Sequence, residues 1–588
     1  VYRLSRFRQP IYKTIRGRYL MMARTSRLFA PLLVLALLLS AAVVALPSKA
    51  LAADEDWDVN LDFTTDTGLA PPDDGNGSSS MLFGVIDGGS DAIVTGAPDN
   101  DTVVPSPPPS ELCFGRLIPP GGGSLYTDRS ARLGTAGDSI TWTVAITNSV
   151  PPYLVENPAE TMTLSWDNLV THATFPDDAN IMLTGFGDPV NMRSTTSVTR
   201  PAADYTATIT VTRLPEPTEV WVDDAWDGDP DGTYEGSVDG TPLIYGYNAF
   251  ADIGWAIEAI SGTTVHIFEG EYSSFNITGM SDVVVTAAEA GALVNDWQDV
   301  WGSTNDYLCL VQSSDNIVID GLEFSATPNN DGDSAIHFIG STDCTVSSVA
   351  VDGIKMNDSR TGYGIEIGSN FCDVDVVDSV IENCNVGVSI HSSSDATIDG
   401  CTITGHTGSD PKMASYCSTG VYALDSDTAV AITDTTIQKC SQGTWYWGGG
   451  EPALGPWSSY EGCGVYSDNG ASVTALDCCK FLNNDVGVWV RGPITPGEDP
   501  AGVNPAYATV NYSNIVGNRV YGAYRASADS PDSDFENNWW GSDDGPTNSP
   551  GSGDQVSGHI DYTPWLDAPC PQGNPVGMGA RFTPSARS

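Results

Sequence analysis

The fold is decided by the stretch Val374-Asp-Val-Val-Asp-Ser-Val-Ile-Glu-Asn-Cys-Asn-Val-Gly-Val-Ser-Ile390, which recurs as Val473-Thr-Ala-Leu-Asp-Cys-Cys-Lys-Phe-Leu-Asn-Asn-Asp-Val-Gly-Val-Trp-Val490. Each copy holds a short apolar strand, a small or cysteine position, and a second strand that contains Gly-Val. A unit this short cannot bury its apolar positions alone, so successive copies have to stack. Weaker copies bring the total to about seven coils, and they occupy Asn316 to Phe338, Cys344 to Ile367, Ala396 to Leu424, Ala429 to Tyr466 and Thr509 to Tyr524. We therefore expect a solenoid of parallel strands.

Both ends of this solenoid carry a recognisable pattern. Residues 247–260 read as an amphipathic helix, and the segments Asn537-Asn-Trp-Trp-Gly-Ser-Asp-Asp-Gly-Pro546 and Asp561-Tyr-Thr-Pro-Trp-Leu566 close the far end. In these features the chain resembles the pectin-lyase-like superfamily, in which a helix plugs the first coil and shields its edge strand from pairing with another chain. The resemblance implies an all-β chain with a right-handed single-stranded parallel β-helix over residues 218–566. It implies no single function, because the scaffold serves lyases, hydrolases, esterases, adhesins and copper-delivery proteins alike.

Composition excludes several classes of protein. The 588 residues include 61 Gly and 38 Pro but are 40% hydrophobic and only 17% charged, which is unlike a disordered chain. The formal net charge is −50, and every Asp and Glu lies beyond residue 53. Such a charge repels nucleic acid and anionic lipid and concentrates cations. We therefore expect neither a nucleic-acid partner nor a membrane partner.

The beginning of the chain has the three parts of an export signal. Arg24 and Arg27 precede an apolar run from Leu28 to Leu46, and Ala50-Leu51-Ala52 follows as a small-residue cleavage pattern. Residues 1–53 are thus expected to be a signal peptide, with residues 1–20 as an upstream extension. A retained membrane anchor is the competing interpretation. The predicted location of the mature protein is extracellular or on the cell surface.

Composition also divides the chain between signal and solenoid. Residues 54–110 are rich in Gly, Pro, Asp and Ser and predict an entry segment and linker. Residues 111–217 alternate apolar and hydroxyl side chains in Ser139–Thr147, Thr161–Trp166 and Tyr205–Thr212, which predicts a β-sandwich accessory domain. Residues 567–588 are assigned to a tail.

Cysteines and asparagines have structural interpretations. Cys384, Cys401, Cys478 and Cys479 fall in or beside strands and are expected to pack as buried free thiols. Cys440 and Cys463 bracket the longest insertion, and a disulfide could join them at its base. A further prediction concerns a structural ladder at a turn, made of Asn383, Asn483 and Asn518.

Alignment of the coils places the large insertions at one edge, since they leave after Phe324, Val351, Ile403 and Ile437. Aromatic rings beside polar groups suit sugar rings, which have apolar faces and hydroxyl edges. The leading hypothesis is therefore polysaccharide binding on this looped face. The candidate contacts are His406, Trp445, Tyr446, Trp447, Trp457 and Tyr460.

Catalysis at the same face is the alternative. A polysaccharide lyase needs a base, for which Lys355, Arg360 and Lys412 are the candidates. A glycoside hydrolase needs two carboxyl groups, and Asp358 with Asp410 is the best-placed pair. A structural or adhesive surface protein without catalysis is a further alternative.

A separate motif predicts Ca²⁺ as a cofactor. Asp227-Gly-Asp-Pro-Asp-Gly232 matches the start of a calcium loop, in which alternating carboxylates converge on a hard cation. The position that holds a bidentate Glu in an EF-hand is Val238 here, so we expect a simpler site. Its ligands would be Asp227, Asp229, Asp231 and Glu235, and a solvated acidic turn is the competing interpretation.

Overall fold

The structure is a computed structural model, and it divides into two compact units, Val1–Arg213 and Leu214–Ser588. The structure describes residues 57–65, 79–85, 102–103, 114–118, 125–130, 137–147, 161–170, 175–176, 178–260, 262–296, 307–325, 334–354, 362–405, 418–441, 462–491, 506–525, 533–547, 551–557 and 559–576.

The first unit is built on one long, mainly antiparallel sheet. Its strands are Trp57–Thr65, Ser79–Val85, Thr102–Val103, Phe114–Ile118, Leu125–Ser130, Ser139–Thr147, Thr161–Trp166, Ala179–Thr184, Val190–Asn191, Ser197–Pro201 and Tyr205–Arg213. Trp57 and Trp142 lie on strands that do not pair, yet their ring centroids are 6.2 Å apart. The sheet therefore folds over so that two layers share one core, as in a sandwich.

The segment predicted as a linker contributes to this sandwich, which corrects the prediction. Trp57–Thr65 and Ser79–Val85 pair with each other within residues 54–110. Val59, Leu61 and Phe63 alternate with polar residues and are buried in the core. Gly and Pro enrichment around these strands concealed an alternation that is typical of a half-buried strand.

The second unit contains a solenoid in which each coil crosses three parallel sheets in turn. The first sheet contains Glu219–Val222, Ala249–Phe250, Thr264–Ile267, Val284–Ala287, Val318–Asp320, Cys344–Ser347, Asp373–Val377, Asp395–Asp399, Ala429–Thr433, Ser472–Leu476, Tyr507–Val510, Ser533–Asp534 and Ile560–Asp561. The second sheet contains Gly270–Ser273, Ala292–Asp296, Glu323–Ser325, Ala350–Asp352, Val380–Glu382, Thr402–Thr404, Thr436–Gln438, Lys480–Leu482 and Asn514–Val516. The third sheet contains Phe275–Thr278, Tyr307–Gln312, Ser334–Ile339, Tyr363–Gly368, Val386–Ile390, Thr419–Ala423, Cys463–Ser467, Val486–Val490 and Tyr521–Arg525. The predicted parallel β-helix is confirmed.

Apolar side chains fill the interior in ladders with one member per coil. Ile381 of the second sheet is paired with Val351 below and Ile403 above, and all three are buried. Each coil buries its apolar positions against the next, which is why the repeat is stable only as a stack.

The predicted asparagine ladder is wrong in its membership. Asn383 and Asn483 stand at the turn with φ of 56° and 55°, and Gly517 occupies the next equivalent position with φ of 75°. This left-handed conformation favours Gly and Asn. The ladder lies one residue further along the chain. There, Asn518 Oδ1 accepts a hydrogen bond from the backbone N–H of Asn484 at 3.0 Å, and Asn484 Oδ1 accepts one from the backbone N–H of Cys440 at 3.0 Å.

The N-terminal end of the solenoid is covered by the predicted helix, which is shorter than its pattern and spans Ile253–Ala259. Asp252 caps it by accepting a hydrogen bond from the Trp255 amide at 3.0 Å. The unit also contains a 3₁₀ turn at Asp224–Trp226 and two small antiparallel pairs. These are Tyr234–Val238 with Thr241–Ile244 and Trp565–Leu566 with Pro575–Val576.

The cysteines correct two predictions. Cys478 forms a disulfide with Cys570, so it is not a free thiol, and the chain beyond residue 566 is joined to the solenoid. Cys440 and Cys463 are both buried, and no disulfide joins them to each other. Cys384, Cys401 and Cys479 are buried free thiols, as predicted.

Candidate functional site

The insertions begin from one stacked edge of the rod. Phe324, Val351, Ile403 and Ile437 occupy one ladder of the second sheet, with Ile381 between the second and third of them. The chain that follows each of the four leads to the start of a third-sheet strand. We call this the looped edge. It borders the outer face of the third sheet.

Every residue predicted to bind or act on sugar lies outside the described residues. The set comprises Lys355, Asp358, Arg360, His406, Asp410, Lys412, Trp445, Tyr446, Trp447, Trp457 and Tyr460. Their roles stay predictions, and the signal peptide likewise lies outside the described part.

The outer face of the third sheet carries an aromatic column beside this edge. Its members are Tyr422, Tyr466, Trp489 and Tyr524, which pair in register on successive coils. Successive ring centroids are 5.6, 5.6 and 5.3 Å apart. Their neighbours along each strand are buried in the interior, so alternation turns these rings outward.

The column is partly accessible. Tyr466 is buried, whereas Tyr422, Trp489 and Tyr524 are half-buried. Tyr521 adds a further half-buried ring, 4.8 Å from that of Tyr524. These rings form a hydrophobic cluster separate from the solenoid interior.

Charged groups flank the rings. Arg491 contacts the buried Asp468 at 2.9 Å, and the hydroxyl of Tyr466 donates to the same carboxylate at 3.3 Å. Near the looped edge, Arg519 binds Asp485 through two nitrogens at 2.8 and 3.0 Å. Bidentate pairing of this kind fixes the guanidinium plane. The aromatic end of the face therefore offers rings, hydroxyls and oriented guanidinium groups together.

Earlier coils carry a titratable cluster, of which His337 and Glu366 occupy the same outward column and His391 lies beside it. Glu366 lies between two histidines, with Oε2 at 3.3 Å from His337 Nδ1 and Oε1 at 3.2 Å from His391 Nε2. Ser334 donates to Oε2 at 2.6 Å. Burial alone would raise the pKa of Glu366, but the hydrogen bond from His391 and the neighbouring donors lower it overall. Burial lowers the pKa of His337 to about 4, so this imidazole is neutral at neutral pH.

The predicted calcium ligands are only partly brought together. Asp229 lies close enough to Glu235 to affect the pKa of that carboxyl group. Burial, followed by the charges of Asp229 and Asp223, raises the pKa of Glu235 to about 7. The carboxylates of Asp227, Asp231 and Asp229 all lie near Tyr245, whose pKa is raised by burial and by their charges.

An open cleft of about 470 Å³ adjoins this loop. Glu235 lines it together with Asp223, Glu269 and Glu289, and Trp226 and Phe268 supply aromatic walls. No group of three or more His, Cys, Asp or Glu residues is arranged to hold a metal ion in the described part of the chain. Calcium binding stays a prediction.

Within the described ranges, no helix is long and apolar enough to cross a membrane.

The stacked coils, with their insertions along the looped edge, define the fold class as a right-handed parallel β-helix. A family model described as a right-handed β-helix region matches residues 308–493. This match agrees with the β-helix fold that the sequence resemblance implies.

Two solved structures illustrate the distance to known proteins. An alginate lyase from Paenibacillus sp. str. FPU-7 is 12% identical with a TM-score of 0.34, covering 51% of this chain and 92% of that one. A GH87 α-1,3-glucanase catalytic domain in complex with tetrasaccharides is 10% identical with a TM-score of 0.25, covering 66% and 94%. At these TM-scores neither likeness bears on the activity of this chain. No match is found among curated proteins.

Sequence reasoning missed the aromatic column, although a signal was present. Each ring stands two residues after the repeated glycine, at Gly420, Gly464, Gly487 and Gly522. The residue two positions after this glycine is the outward position, because the residue between them points inward.

Proposed function

We propose that this protein binds a polysaccharide along the aromatic column and the adjoining looped edge. One observation carries the proposal: Tyr422, Tyr466, Trp489 and Tyr524 occupy one outward position on four successive coils. Parallel strands repeat at about 4.8 Å, so the rings form a periodic apolar strip along the rod. A chain of sugar rings, with apolar faces and hydroxyl edges, is a ligand suited to such a strip.

The polar neighbours of the column support the same ligand. Arg491, Asp468 and the Tyr466 hydroxyl lie on one side, and Arg519 with Asp485 lies toward the looped edge. Sugar hydroxyls both donate and accept hydrogen bonds, so carboxylates and guanidinium groups at fixed positions can pair with them.

A single substitution tests the column. Trp489→Ala removes the half-buried ring at its centre, whereas Tyr512→Ala removes an aromatic ring that is 49% exposed at a turn between the first and second sheets. We expect affinity electrophoresis against a panel of neutral and acidic polysaccharides to show retardation of the wild type. Trp489→Ala should weaken the binding constant about tenfold, the effect of about 1.4 kcal/mol. Tyr512→Ala should leave it unchanged.

Two results would overturn the proposal. Equal retardation of wild type and Trp489→Ala would place the ligand elsewhere on the molecule. Absence of retardation by every polysaccharide would favour the structural alternative. The same panel, assayed for unsaturated uronate and for new reducing ends, separates binding from lyase or hydrolase action at this face.

We infer as well that the protein is exported, with cleavage near Asp54. The basic, apolar and small-residue segments that precede this position support the inference. Mass determination of the N-terminal peptide of protein collected outside the cell tests it. A mature chain that retains residues 28–46 would favour the membrane anchor.

A further inference from the structure

We propose that Ser392, His391 and Glu366 form a hydrolytic site that transfers acyl groups from esters to water. The proposal goes beyond polysaccharide binding and does not depend on it. The substrate class is carboxylic esters, including O-acyl groups carried by glycans. Nothing in the sequence motifs points to this site, because two of its members are adjacent and the third lies on the preceding coil.

The three groups are arranged as nucleophile, base and orienting carboxylate. His391 Nδ1 lies 3.0 Å from Ser392 Oγ, and His391 Nε2 lies 3.2 Å from Glu366 Oε1. A base within hydrogen-bond reach of a hydroxyl and held by a third group is the arrangement that activates a serine. Such sites are recognised by geometry rather than by the order of residues along the chain.

The tautomer of His391 follows from the groups that its two ring nitrogens contact. An ionised carboxylate only accepts hydrogen bonds, so Nε2 of His391 carries the proton that faces Glu366. Nδ1 then presents its lone pair to the Ser392 hydroxyl. The hydroxyl of Ser334 donates to the other oxygen of Glu366, so the carboxylate is held from both sides.

The backbone beneath the imidazole is built to seat it. Gly368 lies in register under His391, and a Cβ at Gly368 would come within 2.2 Å of His391 Cε1. The equivalent positions of the two preceding coils hold Ile339 and Gln312. Only the glycine leaves room for the ring to lie against the sheet.

Ser392 lies in a turn whose backbone conformation recurs in other coils. Ser392 and Ser393 have φ of 60° and 63°, and Asp477 and Cys478 form a comparable left-handed pair. The His391 side chain remains 20% exposed and Ser392 is half-buried, so a small ester can reach the hydroxyl.

The reaction proceeds in two balanced steps. Ser392 Oγ attacks the ester carbonyl carbon while its proton passes to His391 Nδ1, and the alcohol leaves with that proton, which produces an acyl-serine. Water then attacks the acyl carbon, gives a proton to His391, and releases the carboxylic acid as the proton returns to Ser392. Glu366 is a positioning residue that stabilises the imidazolium formed in each step.

One contact limits the reaction rate. The Ser392 amide donates to Asp425 Oδ2 at 3.3 Å, so this N–H is not available to stabilise the oxyanion. Removing a single oxyanion donor costs on the order of 10²-fold or more in other hydrolases. We therefore expect slow turnover that is measurable with activated esters such as p-nitrophenyl acetate.

The test uses the mature protein with a fluorophosphonate probe and p-nitrophenyl acetate. Ser392 lies in the tryptic peptide 361–412, where mass spectrometry should find the phosphonate adduct. Ser392→Ala should abolish labelling of this peptide and lower hydrolysis on the order of 10²-fold. The control is Ser393→Ala, whose hydroxyl donates to the Ser426 carbonyl at 3.1 Å and not to His391. It should retain both signals.

The role of Glu366 has its own readout. Glu366→Gln keeps the shape and removes the charge, so the pH at which hydrolysis is half-maximal should move downward as the imidazolium loses its partner. Circular dichroism identifies any variant that fails to fold. The proposal is overturned if the probe labels a residue other than Ser392, or if Ser392→Ala hydrolyses the ester as fast as the wild type. Failure of polysaccharide binding would leave this result unaffected.

Discussion

Cys478 is bonded to Cys570, which fastens the last described segment of the chain to a turn between the first and second sheets. The two cysteines are separated by 92 residues in sequence, and the backbone N–H of Cys570 donates a hydrogen bond to Asn514 Oδ1 at 2.9 Å. This segment thereby becomes part of the solenoid.

Removal of this disulfide should destabilise the C-terminal coils. Cys570→Ser frees the unfolded chain from a long loop constraint, and we expect a loss of about 2–4 kcal/mol in the free energy of unfolding. Urea denaturation of wild type and variant, each with and without dithiothreitol, measures it. If reductant destabilises the variant as much as the wild type, the disulfide is not the cause.

The interior ladder should be sensitive and its outward neighbour tolerant. Ile381→Ala leaves a cavity between Val351 and Ile403, and we expect a loss of about 2–5 kcal/mol. Val380 is adjacent and 43% exposed, so Val380→Ala should change stability by less than about 0.5 kcal/mol. Equal shifts in the urea midpoints of the two variants would contradict the assigned register.

The asparagine ladder makes a distinct prediction. Asn518 accepts from the Asn484 amide and donates to the Phe481 carbonyl at 3.0 Å. Asn518→Ala leaves these buried groups unsatisfied, and we expect a cost of about 1–3 kcal/mol for each. Asn276→Ala, at an exposed position of the third sheet, is the matched control. Equal melting temperatures of the two variants would show that the ladder does not contribute to stability.

Much of this architecture could be predicted from the sequence, because sequence repeats of this length directly indicate stacked coils. The strands Ser139–Thr147 and Thr161–Trp166 have their predicted bounds because alternation and turn residues agree there. The predicted asparagine ladder was wrong because Asn483 and Asn484 are adjacent and of the same residue type. Neither composition nor spacing shows which of the two stacks on the next coil. Cys478 was misassigned because its partner lies far along the chain, and a pairing at that separation has no local signal.

The candidate site was less predictable for a physical reason. The aromatic column depends on which residue of each strand faces outward, and a shift of one residue reverses the face. The pairing of His391 with Glu366 depends on the exact stacking of two coils whose connecting segments differ in length. Sequence spacing does not carry that information.

Glu235 should make stability depend on pH. Its folded pKa of about 7 lies above the ordinary value of 4.5, so the native state retains a proton that the unfolded chain has lost between these values. Stability from this group is therefore present below about pH 4.5 and is lost as pH rises through 7. Glu235→Gln should gain melting temperature relative to wild type at pH 8 but not at pH 4.5. A difference that is constant with pH would contradict the shift.

Calcium binding at the predicted loop can be tested by thermal shift. If Asp229 and Glu235 bind Ca²⁺, millimolar CaCl₂ should raise the melting temperature at pH 8, because a ligand bound to the native state stabilises it. Asp229→Asn should abolish the rise, and Asp375→Asn, an exposed carboxylate of the first sheet, should retain it. An equal response to MgCl₂, or no response, would favour the solvated acidic turn.

The looped edge has a consequence for how the molecule can change. The coil that contains Ile381 passes from its second to its third strand through Asn383, Cys384 and Asn385 alone, yet it keeps the register of coils with long insertions. Coil closure thus requires none of the inserted residues. Segments at this edge can be exchanged or lengthened without any change in the packing of the solenoid interior. Binding specificity can therefore diversify while the scaffold stays the same.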